Sequence, residues 1–134
     1  MKTWAVVLII VLAIVGGVIL MRTIPENLTY EQIYQLAVNA GFSGNDLRIA
    51  VAIALAESTG NPGATGDITL GMSYGLWQIN SKYHPEFGPD FTRLYDPQTN
   101  ANAAYAVYLV AGHSFSPWST FKSGAYTKYL QGTV

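Results

Sequence analysis

The hydrophobic pattern separates an uninterrupted apolar run near the N-terminus from a mixed remainder. Residues 4–21 form a stretch of 18 residues without a charge, flanked by Lys2 and Arg22. A helix of this length rises roughly 27 Å, close to the ~30 Å hydrocarbon core of a bilayer. A cleaved signal peptide is the alternative, but its apolar region is shorter and precedes a small-x-small cleavage site. We therefore expect a retained transmembrane anchor at 1–22 and a linker at 23–28.

Apolar residues recur at helical spacing in three later segments, 29–41, 43–58 and 96–111. Thr29 and Gln32 have the pattern of a capping box, which satisfies two backbone donors at the start of a helix. The second segment is apolar on all sides through its middle, which predicts a central helix. The third segment opens with Asp-Pro, a typical N-cap followed by proline at the first helical position.

Irregular stretches rich in Gly, Pro, Asn and Thr separate the helical segments at 59–73 and 81–95. The first of them has room for a short hairpin. The ending at 117–130 predicts a short amphipathic turn and a final helix. Together these patterns predict a mainly α fold with long loops and a small hairpin at most, preceded by one N-terminal transmembrane helix.

Composition narrows the classes of function. Charged residues make up 11% of the chain, and 7 Lys and Arg against 8 Asp and Glu give a net charge of −1. A near-neutral chain without a basic run argues against a nucleic-acid partner. The chain has no Cys, so disulfides and thiolate metal sites are excluded. Its two His, His84 and His113, lie too far apart in the sequence to form a local metal motif. We expect no metal and no cofactor.

Glu57 is an isolated carboxylate at the end of the central apolar segment. The residues three, four and seven positions earlier share its helical face, and they are Ala54, Ile53 and Ala50. Loss of hydration on such a face raises the pKa of a carboxyl group. A glutamic acid that stays protonated near neutral pH can donate a proton to a glycosidic oxygen. The position therefore suits a general acid, although the helix position alone favours the plain alternative of a solvated or ion-paired residue.

The plain alternative for Glu57 is a solvated residue at a helix end, paired with Arg48 or Lys82. The segment 74–80, YGLWQIN, favours the catalytic interpretation. It supplies an aromatic ring and two amides, and such groups line sugar-binding clefts because rings stack on pyranoses and amides bind hydroxyl and N-acetyl groups.

Three blocks in the chain resemble the lytic transglycosylase and goose-type lysozyme superfamily in order and spacing. They are ES-x-G-NP-x-A at 57–64, YGLWQIN at 74–80 and DPQTNANAAYAVYL at 96–109. The ending at 117–130 is similar to peptidoglycan-degrading domains associated with bacteriophage virions. The resemblance implies a lysozyme-like (transglycosylase) domain at 29–134 that binds peptidoglycan and cleaves its MurNAc–GlcNAc β-1,4 bond.

The resemblance also implies roles for individual residues. Glu57 is the catalytic acid, and also the base in transglycosylases. Asp67 lies in a Gly-Asp pair like that of some goose-type enzymes, where such a residue can activate water; the alternative is an ordinary turn residue. Lytic transglycosylation and muramidase-type hydrolysis therefore both stay open. The candidate substrate-binding residues, from the implied cleft and its surroundings, are Ser73, Tyr74, Gln78, Asn80, Tyr105 and Trp118.

One departure from the family pattern concerns the group that orients the catalytic acid. Transglycosylases have a Tyr-Asn-Ala-Gly block whose Tyr hydroxyl steadies the Glu. By its spacing before Gly124, that Tyr position is Phe121 here. Tyr105 and Tyr126 are unranked candidates for the missing hydroxyl.

Two hypotheses of function follow, with a third that fits less of the chain. The first is a membrane-anchored enzyme, held in the bilayer by residues 4–21 with its domain facing the cell wall, in a bacterial envelope or a phage particle. It would have virion or envelope proteins as further partners. The second is a non-catalytic glycan-binding or structural module, which the Phe121 departure supports. A small holin-like pore-forming protein explains the apolar run but not the domain.

Overall fold

The computed structural model describes residues 6–15, 18–25, 27–66 and 68–131. Four α-helices lie in this part of the chain: α1 (Tyr30–Ala40), α2 (Gly44–Ser58), α3 (Pro97–Val110) and α4 (Ser119–Lys122). Two short strands pair between α2 and α3, β3 (Ser73–Tyr74) and β4 (Ile79–Asn80). Three 3-10 helices complete the domain: Pro85–Phe87, Phe91–Tyr95 and Ala125–Tyr129. The prediction of a mainly helical domain is confirmed.

The prediction of an N-terminal transmembrane helix is wrong. The described residues of this region instead form two antiparallel strands, β1 (Val6–Val15) and β2 (Val18–Pro25), in which Val6 pairs with Pro25 and Val15 with Val18. No helix among the described residues combines the length and apolar character needed to cross a bilayer. The run is rich in β-branched Val and Ile, which favour strands, and its sequence contains a Gly-Gly pair typical of hairpins. Hydropathy alone does not distinguish these outcomes.

The capping box at the start of α1 is confirmed. The Thr29 side chain accepts a hydrogen bond from the backbone N of Gln32 at 3.2 Å, and the Gln32 side chain accepts from the backbone N of Thr29 at 2.9 Å. The helix ends at Gly41, where φ is +128° and an added Cβ would lie 2.7 Å from the Tyr105 ring. Glycine at this position therefore lets α1 end directly against α3.

The central helix α2 supplies much of the core. Its residues 50–54 are all buried, and all of them except Ala52 pack with Ile33 and Leu36 of α1 and Ala104 of α3 in one cluster. Ser43 occupies the predicted N-cap position, but its side chain makes no capping hydrogen bond. The buried helix is therefore held by packing rather than by its cap.

A hairpin of two two-residue strands, β3 and β4, places the YGLWQIN segment against the start of α3. Ser73 pairs with Asn80 and Tyr74 with Ile79, so the hairpin lies across 73–80 rather than within 59–73 as the sequence suggested. The turn requires Gly75, because its φ is +75° and a Cβ would lie 2.5 Å from both the Asn100 side chain and a backbone carbonyl.

Two residues at the start of α3 have structural roles, and that of Asp96 was predicted from the sequence. Asp96 caps the helix by accepting from the backbone N of Thr99 at 2.9 Å. Asn100 is 0% exposed and joins three segments. Its amide donates to the carbonyls of Tyr74 (2.7 Å) and Leu94 (2.9 Å), and its oxygen accepts from the backbone N of Trp77 (2.8 Å).

The C-terminal segment differs in detail from its prediction. The expected short turn is α4, but the expected final helix is the five-residue 3-10 helix Ala125–Tyr129, which packs against α2. Gly124 precedes it at φ +82° and ends the preceding turn.

Candidate active site

Glu57 lies in the last turn of α2, on the face predicted from the sequence. Ala50, Ile53 and Ala54, which share that face, are fully buried, and the Glu57 side chain is half-buried. The C-terminal end of a helix carries a partial negative charge, which disfavours an ionised carboxylate nearby. Both the burial and the helix end therefore act against ionisation of this group.

The Glu57 carboxyl has one hydrogen-bonding side chain among the described residues, Thr120 of α4. The Thr120 hydroxyl donates to Oε2 of Glu57 at 2.7 Å. Desolvation by burial raises the pKa of Glu57, and the hydroxyl and backbone of Thr120 lower it by a smaller amount. The balance keeps the group protonated to a higher pH than an ordinary glutamate.

The pairing partners considered from the sequence are engaged elsewhere. Arg48 donates from Nε to the carbonyl of Gln131 at 3.0 Å, and the Lys82 ammonium lies over the Tyr83 ring, 5.9 Å from its centroid. Within 27–66 and 68–131 no ion pair involves Glu57. The carboxyl group therefore has no cationic partner in the described part of the chain.

Gln78, Asn80 and Ser73 stand next to one another and are tied to backbone. Nε2 of Gln78 donates to the carbonyls of Ala64 (3.0 Å) and Gly75 (2.9 Å). Nδ2 of Asn80 donates to the Ser73 hydroxyl (3.1 Å) and to a loop carbonyl. These side chains hold the loop after α2 against the hairpin. Asp67 belongs to that loop but lies outside the described residues.

The tyrosines predicted from the sequence pack against other aromatic rings. Tyr74 stacks on Phe91 with centroids 5.8 Å apart, and Tyr105 meets Phe42 edge-on at 4.9 Å. Tyr126, the other candidate for orienting Glu57, stacks on Phe121 at 5.1 Å. Neither Tyr105 nor Tyr126 hydrogen-bonds to Glu57 in the described structure.

Two tryptophans link α2 to α4 through the hairpin. Trp77 is 1% exposed and donates from its indole to the carbonyl of Ala50 at 2.9 Å. Trp118 is 5% exposed and donates to the carbonyl of Trp77 at 2.8 Å. Both rings are therefore mainly core, and Trp118 offers little exposed surface for sugar stacking.

A cavity of about 440 Å³ lies beside α4, within the usual range of ligand pockets. It brings together three of the predicted binding residues, Gln78, Asn80 and Trp118, whereas Tyr74 and Tyr105 do not line it. Sequence analysis missed Tyr83 and Lys122, which also line it. Thr120, which donates to Glu57, lies on α4 two positions from both Trp118 and Lys122 and so on a different face of the helix. Neither Thr120 nor Glu57 lines the cavity.

Sequence analysis also missed Thr120. The resemblance directs attention to the next residue, Phe121, and nothing local marks a threonine as a partner of a glutamate 63 positions earlier. The only signal was the absence of a hydroxyl at Phe121, which required that another group supply it.

A half-buried acid at the end of a central helix, with one hydroxyl donor and no cationic partner among the described residues, is suited to proton donation. The SLT-type family model described as a lysozyme-like domain matches residues 34–120, which is more than half of the chain. The chain belongs to this lysozyme-like family, and membership indicates a peptidoglycan-degrading activity in general. No curated protein and no solved structure matches the chain.

Proposed function

We propose that this domain cleaves the β-1,4 bond between N-acetylmuramic acid and N-acetylglucosamine in peptidoglycan, with Glu57 as the general acid. The observation that carries the proposal is the half-buried carboxyl group, with a raised pKa and one hydroxyl donor, in a domain of the lysozyme-like family. A positioned general acid contributes about 10²–10⁴-fold in rate.

The chemistry begins with transfer of the Glu57 proton to the oxygen that links the two sugars. The bond from that oxygen to the muramyl anomeric carbon then breaks, and the positive charge that develops on the ring faces the new carboxylate. The Thr120 hydrogen bond stabilises this carboxylate. Glu57, now a base, removes a proton from the attacking hydroxyl group and returns to its starting state.

Lytic transglycosylation is the reaction that we favour. There the attacking group is the 6-hydroxyl of the same muramyl residue, and a 1,6-anhydro ring forms. One carboxyl group that acts first as acid and then as base is sufficient for this reaction. The second candidate is hydrolysis, in which Asp67 activates water if the two carboxyl groups lie about 6.5–9.5 Å apart. Mass spectrometry of the products distinguishes them, because the anhydro product is about 18 Da lighter than the hydrolysis product.

The decisive test of an enzyme compares the full chain with two isosteric variants on a peptidoglycan zymogram. Glu57→Gln removes the proposed acid, and Glu31→Gln makes the same change at an exposed position in the first turn of α1. We expect clearing by the unmodified chain and by Glu31→Gln but not by Glu57→Gln. Clearing by Glu57→Gln would exclude Glu57 as the acid.

The non-catalytic module is the second candidate function, and the missing hydroxyl at Phe121 favours it. In that case the unmodified chain would bind peptidoglycan in a pull-down assay without clearing the zymogram.

We further propose a phage particle as the setting, with the domain acting on the cell wall during entry. The ending at 117–130, which is similar to virion-associated domains, supports this proposal. Detection of the chain in purified particles by mass spectrometry tests it, and its absence there would favour a bacterial envelope.

A further inference from the structure

Phe121, at the position of the family tyrosine, packs between two aromatic rings. Phe121 lies between Phe115, at 5.7 Å between ring centroids, and Tyr126, at 5.1 Å. Phenylalanine has no hydroxyl group, and neither neighbour bonds to Glu57 in the described structure. The hydroxyl that reaches Glu57 comes instead from the preceding residue, Thr120.

The Thr120 hydroxyl is held in place by a closed set of contacts that begins and ends on α2. The Trp77 indole bonds to the carbonyl of Ala50, and the Trp118 indole bonds to the carbonyl of Trp77. Trp118 is the N-cap of α4, and the Thr120 hydroxyl returns from α4 to Glu57. Ala50 and Glu57 are two helical turns apart on one face, so both ends of the set share one rigid support.

This arrangement distinguishes the two oxygens of the Glu57 carboxyl group. The Thr120 hydrogen points at Oε2, at an oxygen–oxygen distance of 2.7 Å. A proton on Oε2 would compete with that hydrogen for the same space. The backbone of Thr120 also hydrogen-bonds to the carboxyl group. Among the described side chains, Thr120 alone donates to Glu57, and its hydroxyl is directed at Oε2 rather than Oε1.

Resting on the function proposed above, we infer that Thr120 is a positioning residue that replaces the missing tyrosine hydroxyl. By donating to Oε2, it leaves Oε1 as the oxygen that carries the proton and delivers it to the glycosidic oxygen. The transfer forms an O–H bond on the leaving sugar, breaks the Oε1–H bond and leaves the negative charge on a carboxylate that the Thr120 hydrogen bond already supports.

The hydrogen bond also has a predictable effect on titration. It favours the ionised carboxylate, and its loss therefore raises the pKa of Glu57 further. The acid must be protonated to act, so activity falls as pH rises through this pKa. In the pH profile this fall in activity is the alkaline limb. Loss of the Thr120 hydroxyl should shift the alkaline limb to higher pH, whereas a purely structural defect should lower activity without moving it.

The test compares three variants of the full chain. Thr120→Val removes the hydroxyl at nearly constant volume, and Thr120→Ser restores it. Thr127→Val is the matched control, because the Thr127 hydroxyl donates to the carbonyl of Gly124 at 2.8 Å in the same C-terminal region. The measurements are kcat and KM on soluble glycan strands across pH, and titration of the Glu57 carboxyl carbon by NMR.

We expect Thr120→Val to lower kcat by about tenfold, the scale of one hydrogen bond to a charged group, with KM within about twofold. Its alkaline limb and its NMR midpoint both move to higher pH. Thr120→Ser stays within about threefold of the unmodified kcat, and Thr127→Val matches the unmodified chain.

An unchanged NMR midpoint in Thr120→Val overturns the inference, as does an unchanged kcat and pH profile in an active protein. If the unmodified chain cleaves no glycan but Thr120→Val still raises the midpoint, the proposed function fails and the positioning of the carboxyl group by Thr120 stands. The two failures are therefore distinguishable.

Discussion

The two ends of α2 carry carboxylates that are held in the same way and differ in character. Asp46, in the first turn, accepts a hydrogen bond from the Tyr108 hydroxyl of α3. Glu57, in the last turn, accepts from the Thr120 hydroxyl of α4. The helix dipole favours a negative charge at Asp46 and opposes it at Glu57. One helix thus presents a structural hydrogen-bond acceptor at one end and a candidate proton donor at the other.

Burial acts on different partners at the two ends. At the first turn the buried group is the donor, and desolvation, followed by the bond to Asp46, raises the pKa of Tyr108 to about 12. Tyr108 therefore remains a hydrogen-bond donor at physiological pH. At the last turn burial acts on the acid itself and raises its pKa. Both ends of α2 have a hydroxyl–carboxylate hydrogen bond, so that bond does not distinguish a structural carboxylate from a candidate acid. The difference is which partner is desolvated: the tyrosine at the first turn and the carboxyl group at the last.

The largest effect that this comparison predicts is on activity. Glu57→Gln should lower the rate of peptidoglycan clearing by about 10²–10⁴-fold, because it removes the acid and keeps the shape. Asp46→Asn should keep the rate per folded molecule. The measurement is turbidity loss, normalised to the folded fraction from circular dichroism. Equal loss of activity in the two variants would remove the distinction between the ends of α2.

A second prediction concerns Asn100, a buried polar residue that, unlike Glu57, serves stability through three hydrogen bonds to backbone. Asn100→Ala leaves the Trp77 N–H and the carbonyls of Tyr74 and Leu94 without a partner, so it should cost about 3 kcal/mol of stability. Asn102→Ala, an exposed change on the same helix, should cost less than about 0.5 kcal/mol. Urea unfolding measures both variants, and similar midpoints would contradict the role of Asn100 as a structural junction.

Tyr108→Phe sharpens the comparison at the Asp46 end. Removal of the hydroxyl should cost about 1 kcal/mol of stability, because water can partly replace it at the half-exposed Asp46. Tyr34→Phe is the control, since the Tyr34 hydroxyl makes no hydrogen bond in the described structure. In thermal unfolding, the Asp46→Asn/Tyr108→Phe double variant should lose less than the sum of the single losses. Strict additivity would show that the two groups do not interact.

The smallest predicted effect is the dependence of stability on pH. Because burial raises the pKa of Glu57 in the folded state, its contribution is fully present below the unfolded pKa and is lost as pH rises through the folded pKa. Glu57→Gln should therefore be slightly more stable than the unmodified chain at neutral pH and equal to it in acid. Solvent screening of a half-buried group keeps the difference small. Thermal midpoints across pH measure it, and a less stable variant at neutral pH would reverse the assignment.

Local features of the domain were predictable from the sequence because their causes lie within a few residues. The capping box at Thr29 and the Asp96 cap involve partners three positions away. The apolar surroundings of Glu57 follow from helical spacing along α2. The motif order identified the lysozyme-like family, which the family model confirmed.

Features that depend on competing local structures were predicted less well. The apolar run at 4–21 suits a helix by its length, but its β-branched residues favour strands, and the strands β1 and β2 result. The hairpin lies at 73–80 because Gly75 fits closely against Asn100. These two residues are 25 positions apart, so the sequence near Gly75 does not predict the contact.

The amino-acid sequence by itself determined that one carboxyl group would stand on an apolar helical face, since periodicity and composition act along a single helix. Only the tertiary structure decided which hydroxyl would meet it. Thr120 reaches Glu57 because the indoles of Trp77 and Trp118 fix α4 against α2, over a separation of 63 residues. Such a contact depends on the packing of three segments at once, and no single segment contains the information for it.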